Sequence, residues 1–135
     1  MAVEYLSAAS ITVGGVDLSD HVTRVQLMRE WDDLDTTAFG SSNRTRIAGL
    51  GSWSVAIDWQ QDFAASEVYA TLQPLGGTTT TVALKKDSGS TAATNPQFSG
   101  TVVVTGLDHI NAGVGQLHTF STTWPGTGDL TIATS

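Results

Sequence analysis

Alternation of apolar and polar side chains is clearest between Ser52 and Asp62. Trp53, Val55, Ile57 and Trp59 share one parity, and Ser54, Ala56, Asp58 and Gln60 the other. Successive side chains of a strand point to opposite faces, so this run predicts one buried and one polar face. A second alternating run spans His21 to Trp31, with Val25, Leu27, Arg29 and Trp31 opposed to Gln26, Met28 and Glu30. Ile11 to Leu18 alternates around Gly14-Gly15 and reads as a short hairpin, because paired glycines supply the positive φ angles of a tight turn. Thr78 to Lys86, Gln97 to Leu107 and Gln116 to Trp124 are further β-branched runs, the last closed by Pro125-Gly126.

The period changes once. Ala65, Val68, Tyr69 and Leu72 recur at helical spacing, which predicts one helix ending near Gln73, before Pro74 and Gly76-Gly77. Asp62 is the expected N-cap, with Ser66 as the cap of a shorter helix. Residues 32–52 show no sustained period and read as a long loop between the second and third strands. Asp87 to Pro96 is a polar, turn-rich loop, and Asn111 to Gly115 a turn. These elements predict a mainly β domain over residues 1–135. Its architecture is a β-sandwich or partly rolled barrel of six to eight antiparallel strands with one flanking helix.

Composition narrows the function more than the fold. The chain has 135 residues and no Cys, which excludes disulfides, thiolate metal sites and Cys nucleophiles. Only 14% of residues are charged, yet the net charge is −7 from 13 acids and 6 bases. Phosphate neutralisation needs clustered Lys and Arg, so a cationic nucleic-acid surface is not expected. The first ten residues lack the cationic and apolar regions of a secretory signal, and no run approaches a membrane span. A reducing cytoplasm, or an assembly built there, is the expected setting, with no membrane partner. The tail from Gly126 is short and polar; it either frays or adds a strand to a neighbour.

Candidate chemistry is sparse. His21, His109 and His118 do not stand at ligand spacing, and Asp108-His109 point to opposite faces of a strand. Asp32-Asp33-Leu34-Asp35 lacks the spacing of a calcium loop. Neither glycine pair belongs to a phosphate loop, and no Ser stands in a nucleophile elbow. Trp53 and Trp59 are expected in the core. Trp31 and Trp124 end their strands and are open to exposure, which leaves a carbohydrate-binding platform as one alternative. No enzyme, metal or cofactor is expected.

The order of features resembles the tail tube (major tail) proteins of long-tailed bacteriophages. The resemblance rests on ITVGGVDLSDHV, the loop DLDTTAFGSSNRTRIAGL, the strand SWSVAIDW and the helix VYATLQPLGG, across residues 11 to 124. Such proteins are similar to the tubes of contractile tails and of type VI secretion systems. The resemblance implies a hexameric ring whose inner sheets join, rings stacked into a hollow tube, and viral DNA passing through without specific binding. It implies tape measure, terminator and baseplate proteins as partners, and a virion tail assembled in the bacterial host cytoplasm. Residues 1–9 and 125–135 then form terminal arms, and 32–52 an inter-ring loop. Contact residues in that loop would be Asp35, Thr36, Phe39, Arg44, Arg46, Ile47 and Leu50. Lumen candidates on the polar parities are Gln26, Glu30, Asp58 and Gln60, where an acidic wall that repels phosphate would let DNA slide without sticking. Another phage structural β-protein, a head-decoration or tail-terminator subunit, shares the same composition.

Overall fold

A computed structural model describes residues 9–65, 67–87 and 89–134. Seven antiparallel strands form one sheet: β1 (Ser10–Val13), β2 (Val16–Asp17), β3 (Val22–Asp35), β4 (Arg46–Gln60), β5 (Thr79–Lys85), β6 (Gln97–Val103) and β7 (Thr119–Ala133). Their order is β2-β1-β5-β6-β7-β4-β3. The sheet rolls on itself, so that β4 and β7 on one side share a core with β1, β5 and β6 on the other. The expected mainly β architecture with one helix is therefore present. A short helix, α1 (Val68–Leu72), drops Val68 and Leu72 into the same core.

Strand β7 makes the roll possible. Its first half pairs with β4, from Gln60 opposite Thr119 to Ser54 opposite Pro125. Its second half pairs with β6, from Val102 opposite Gly126 to Gln97 opposite Ala133. One strand thus passes between the two layers at Pro125-Gly126, as strands do at the corners of packed sheets. The expected C-terminal arm at 125–135 is corrected here, since Pro125 to Ala133 are ladder residues of β7. Pro125 misled the sequence reading because Pro cannot donate to a ladder, yet it sits at the corner where the partner changes. The N-terminal arm expected at 1–9 lies, apart from Ala9, outside the described residues.

Trp53 closes the corner. Its indole covers Gly126 of β7 and Gly100 of β6, where an added Cβ would stand 2.1 Å and 2.6 Å from ring atoms. Its Nε1 donates to the Gly128 carbonyl at 3.0 Å. Gly128 has a φ of 81°, a backbone state that glycine adopts without strain. Gly100 lies at the register shift between Ser99 and Thr101, so the ring fills the space beside a β-bulge. Further into the core, Trp59 stacks on Phe120 at 6.2 Å, meets Trp124 at a tilt at 6.1 Å, and donates from Nε1 to the Thr122 hydroxyl at 2.9 Å.

Three further expectations are corrected. Trp124 is fully buried, with its Nε1 donating to the Gly106 carbonyl at 3.2 Å. It offers no platform with Trp31, which is 55% exposed. The helix is shorter than the apolar spacing predicts. Asp62 accepts from the Ala64 amide at 2.9 Å in a turn that precedes α1 and caps no helix. Ser66 lies outside the described residues. Finally, the loop of 32–52 shrinks to residues 36–45, because β3 and β4 extend far past the body.

Two substitutions test the corner and the core. Gly126→Ala drives a methyl group into the Trp53 ring and is expected to destabilise the fold by about 1–3 kcal/mol or more. Ile57→Ala, at a site with no exposure, is expected to cost about 2–5 kcal/mol. Urea denaturation of both variants checks these values.

Candidate assembly surface

The residues expected in a contact loop stand on a projecting hairpin. Past Trp31 and Gly51, β3 and β4 continue as a two-stranded ribbon through Asp33 opposite Ala48, Leu34 opposite Ile47 and Asp35 opposite Arg46. A bulge between Trp31 and Asp33 breaks the alternation of β3. On β4 the facing positions are glycines. A Cβ at Gly51 would meet the Trp31 indole at 2.8 Å, and one at Gly49 would meet Leu34 at 3.1 Å. Large side chains on one strand lie over bare backbone on the other, which erases the period that a strand normally shows.

Local polar bonds hold the ribbon and its tip. Arg46 pairs with Asp33 at 2.5 Å, and Arg44 with Asp35 at 3.1 Å. Both pairs are exposed, so each contributes little to stability but fixes the ribbon's register. The Thr36 and Thr45 hydroxyls lie 2.9 Å apart, and the Thr36 amide donates to the Thr45 carbonyl at 2.8 Å. Asp35 accepts from the Thr37 amide at 2.9 Å. The Thr37 side-chain and backbone bonds, with a smaller share from Arg44, hold the Asp35 carboxyl below its usual range.

The ribbon is apolar where nothing in the chain covers it. Trp31, Leu34 and Ile47 are exposed and continue the face that carries Val25 and Leu27 towards the core. Phe39 at the tip is fully exposed, and Leu50 is 83% exposed on the opposite face. Arg29 lies over the Trp31 ring at 5.0 Å. Trp31 and Leu34 join the expected contact residues, although their shared face appears only once the bulge is known.

The candidates Gln26, Glu30, Asp58 and Gln60 all lie on one face of the β3–β4–β7 layer, turned away from the core. Gln26 stands opposite Ala56, Glu30 opposite Ser52, Asp58 opposite Arg24 and Gln60 opposite Thr119. Arg24 donates to Gln26 at 3.1 Å, and Ser121 donates to Asp58 at 2.7 Å. Over this part of the layer Glu30 and Asp58 face one base, Arg24. The surface is mostly hydroxyl and amide, not strongly acidic. The acids behind the net −7 are spread elsewhere, among them Asp17, Asp20, Asp62, Glu67 and Asp87.

A second exposed surface lies at the opposite end of the same layer and was not legible in the sequence. Residues 104–118 carry no strand, although both ends read as one. Ile110, Val114, Leu117 and the nearby Phe63 are all exposed. Phe63 packs on Tyr69 and His118, and Tyr69 meets the edge of His109. The Asn111 amide donates to His118 Nε2 at 2.8 Å.

Among the described residues His21 is the one histidine with carboxylates at its ring nitrogens. Its Nδ1 faces Asp20 at 2.8 Å and Glu67 at 3.4 Å, and its Nε2 faces Asp62 at 2.9 Å. The ligand atoms of Asp20, His21 and Glu67 are close enough together to suggest a metal site. With carboxylates at both ring nitrogens, however, the group that satisfies the site is an imidazolium. Burial, the largest influence, favours the neutral ring; the bonds to Asp20 and Asp62 and the charges of Asp20 and Glu67 outweigh it and raise the pKa. Asp62 is held below its usual range by the Ala64 amide first, then by His21. This network ties the segment after β2 to the approach of α1.

Among solved structures the chain is similar to chains of gene transfer agent particles and of an anti-feeding prophage baseplate. It aligns with a chain of a native gene transfer agent virion at TM-score 0.75 and 11% identity, covering 97% of this chain and 99% of that one. It aligns with a chain of the tail of an empty gene transfer agent particle, refined with helical C6 symmetry, at TM-score 0.64 and 13% identity, covering 84% and 82%. A chain of the six-fold symmetrised anti-feeding prophage baseplate aligns at TM-score 0.61 and 12% identity, covering 99% and 98%. No protein-family profile and no curated relative matches the sequence. The chain therefore shares its fold with these tail, virion and baseplate chains.

The His21 network sets a pH dependence. Its folded pKa is raised above 6.5, so its stabilisation is complete below 6.5 and is lost as pH rises through the folded value. The lowered Asp62 pKa places its contribution above 3.8, to be lost as pH falls through the folded value. Melting temperatures across about pH 5 to 9 are expected to fall on the alkaline side, and His21→Gln is expected to flatten that fall.

Proposed function

We propose that the chain is a structural subunit of a phage-like tail tube, in which six copies form a ring and rings stack into a hollow conduit. The observation that carries the proposal is the β3–β4 ribbon. It extends the core-facing apolar side chains beyond the body and leaves Trp31, Leu34, Phe39 and Ile47 in solvent. A lone subunit gains nothing from such a projection, whereas a neighbour that covers it gains buried area. The likeness to a chain of a C6-symmetric tail and to one of a six-fold symmetrised baseplate supports the same reading. Contacts between different patches that close by rotation give rings, and those that do not close give stacks.

In this reading Asp35, Thr36, Phe39, Arg44, Arg46, Ile47 and Leu50 meet the adjacent ring. Gln26, Glu30, Asp58 and Gln60 face the lumen, where a wall of hydroxyls and amides without clustered cations has no grip on phosphate. The subunit would assemble in the bacterial cytoplasm, become part of the virion tail, and meet tape measure, terminator and baseplate proteins at its ends. It acts as no enzyme. Burial of Trp124 removes the pair on which a carbohydrate-binding reading stood. The baseplate likeness favours one second reading, a tube-like subunit at the tail tip that forms a single ring.

Electron microscopy and mass measurement of the purified chain at high concentration test the proposal. Six-membered rings that polymerise support a tube, single closed rings support the tail-tip reading, and persistent monomers overturn both. Replacing residues 36–45 with an Asn-Gly turn is expected to leave a folded subunit, since the segment adds nothing to the core. The same replacement is expected to abolish stacking. A variant that unfolds would remove the ribbon from the assembly surface.

A further inference from the structure

We propose that the projecting ribbon of one copy docks on the surface formed by residues 61–63 and 104–118 of a second copy, so that subunits join head to tail. The inference rests on the tail-tube reading and names the surface that the ribbon meets. Strand β4 carries the two surfaces at its two ends. It begins at Arg46 in the ribbon and ends at Gln60. Directly beyond, the Gln61 amide donates to the His118 carbonyl at 2.8 Å, and the Gln61 side chain donates to the His109 carbonyl at 3.2 Å. The ring of Phe63 then packs on His118 at 5.7 Å. A strand of 15 residues spans about 45–50 Å. The ribbon therefore reaches the far end only on another copy.

The two surfaces are complementary in chemistry. Leu34, Phe39 and Ile47 stand exposed on the ribbon, and Ile110, Val114 and Leu117 on the far end. Each surface is braced from within. In the far loop the Asn111 amide donates to His118 Nε2 at 2.8 Å, the Asn111 side chain to Asp108 at 3.2 Å, and the Gly113 amide to the Gln116 side chain at 2.9 Å. Its apolar side chains thus stand on a formed surface, which lowers the ordering cost of association. Charge agrees as well. Residues 36–45 hold one charged side chain, Arg44, and residues 104–118 hold one, Asp108, with His neutral. Opposite single charges favour one register of contact. Because ribbon and receiving surface are different patches of one chain, the contact repeats without closing and builds a stack. A second apolar recess, a groove of about 280 Å³ lined by Val25, Leu27, Leu84 and Phe98, lies off this line. It runs beside the middle of β3, where Val25 and Leu27 pair with Ile57 and Val55, and not at an end.

Engineered cysteines test this without interference, because the chain has no cysteine of its own. Phe39→Cys and Val114→Cys change fully exposed positions and leave the core untouched. The two single variants are mixed at high concentration, oxidised, and compared with each variant alone. Disulfide-linked pairs are expected to be at least about tenfold more abundant in the mixture. The double variant is expected to give a ladder of linked dimers, trimers and higher oligomers, since each copy then carries both ends of the contact. Phe39→Cys linking to itself, or to Leu27→Cys in the groove, as readily as to Val114→Cys would overturn the inference. Arg44→Glu and Asp108→Arg are each expected to lower the linked fraction by about two- to fivefold, the size of one exposed ion pair, and together to restore it. Microscopy of the same samples separates this inference from the reading beneath it. Stacked rings without the Phe39–Val114 link overturn the inference and leave the tube reading standing. A linked ladder without rings supports the contact and overturns the tube reading. Monomers that do not link overturn both.

Discussion

The position of one indole ring governs how this sheet becomes a closed body. Trp53 reaches from β4 across the corner of β7 to the bulge of β6, and hydrogen-bonds the Gly128 carbonyl. Three strands thereby meet under a single side chain at the point where β7 exchanges one partner for another. Bare backbone at Gly100 and Gly126 is the condition for that meeting. Without it the ring would stand off the sheet, and the two layers would lose the close packing on which core stability rests. Trp59, Trp124 and Phe120 continue the aromatic layer inwards, with each indole N–H satisfied by a hydroxyl or a carbonyl.

Closure at this corner also determines what stays open. Rolling brings β3 opposite β5 and β6 without joining them, and the groove between them is the remainder. Extension of β3 and β4 beyond the roll leaves the projecting ribbon, with apolar side chains that the body cannot cover. Both features follow from unequal strand lengths in one sheet. Strands of 14 and 15 residues are paired in a body whose other layer is built from strands of 2 to 7 residues and half of β7. A subunit built this way has surface to offer neighbours at its ends while its core remains self-contained.

The charge of the chain takes on a different meaning in three dimensions. A net −7 suggests an acidic face, yet the polar side of the β3–β4–β7 layer is dominated by Gln, Ser and Thr. Two acids and one base occupy the part of that layer between Arg24 and Glu30. Other acids serve local structure. Asp17 accepts from Ser19, Asp62 from Ala64 and His21, and Asp87 from Gly89 and Asn95. The scarce cations are the more telling group, since Arg44 and Arg46 brace the ribbon and Arg29, Lys85 and Lys86 gather at the groove.

Sequence alone determined the elements whose side chains alternate against a single core. Trp53 to Trp59, Val25 to Trp31, the Gly14-Gly15 hairpin and the β5 run were all legible, because burial on one face imposes a period of two. It also determined that Val68 and Leu72 share a helical face, and that the candidate residues Gln26, Glu30, Asp58 and Gln60 share polar parities. Only the tertiary structure decided the rest. The ribbon read as a loop because a bulge shifts its parity and because glycines on β4 accommodate the large side chains of β3. The end of β7 read as an arm because Pro125 marks a change of partner, which no local pattern records. His21 read as an isolated histidine because Asp62 and Glu67 lie more than 40 residues away and meet it only through the packing of α1. Periodicity reports what a residue does on its own strand, whereas bulges, corners and long-range ion pairs depend on which strand lies beside it.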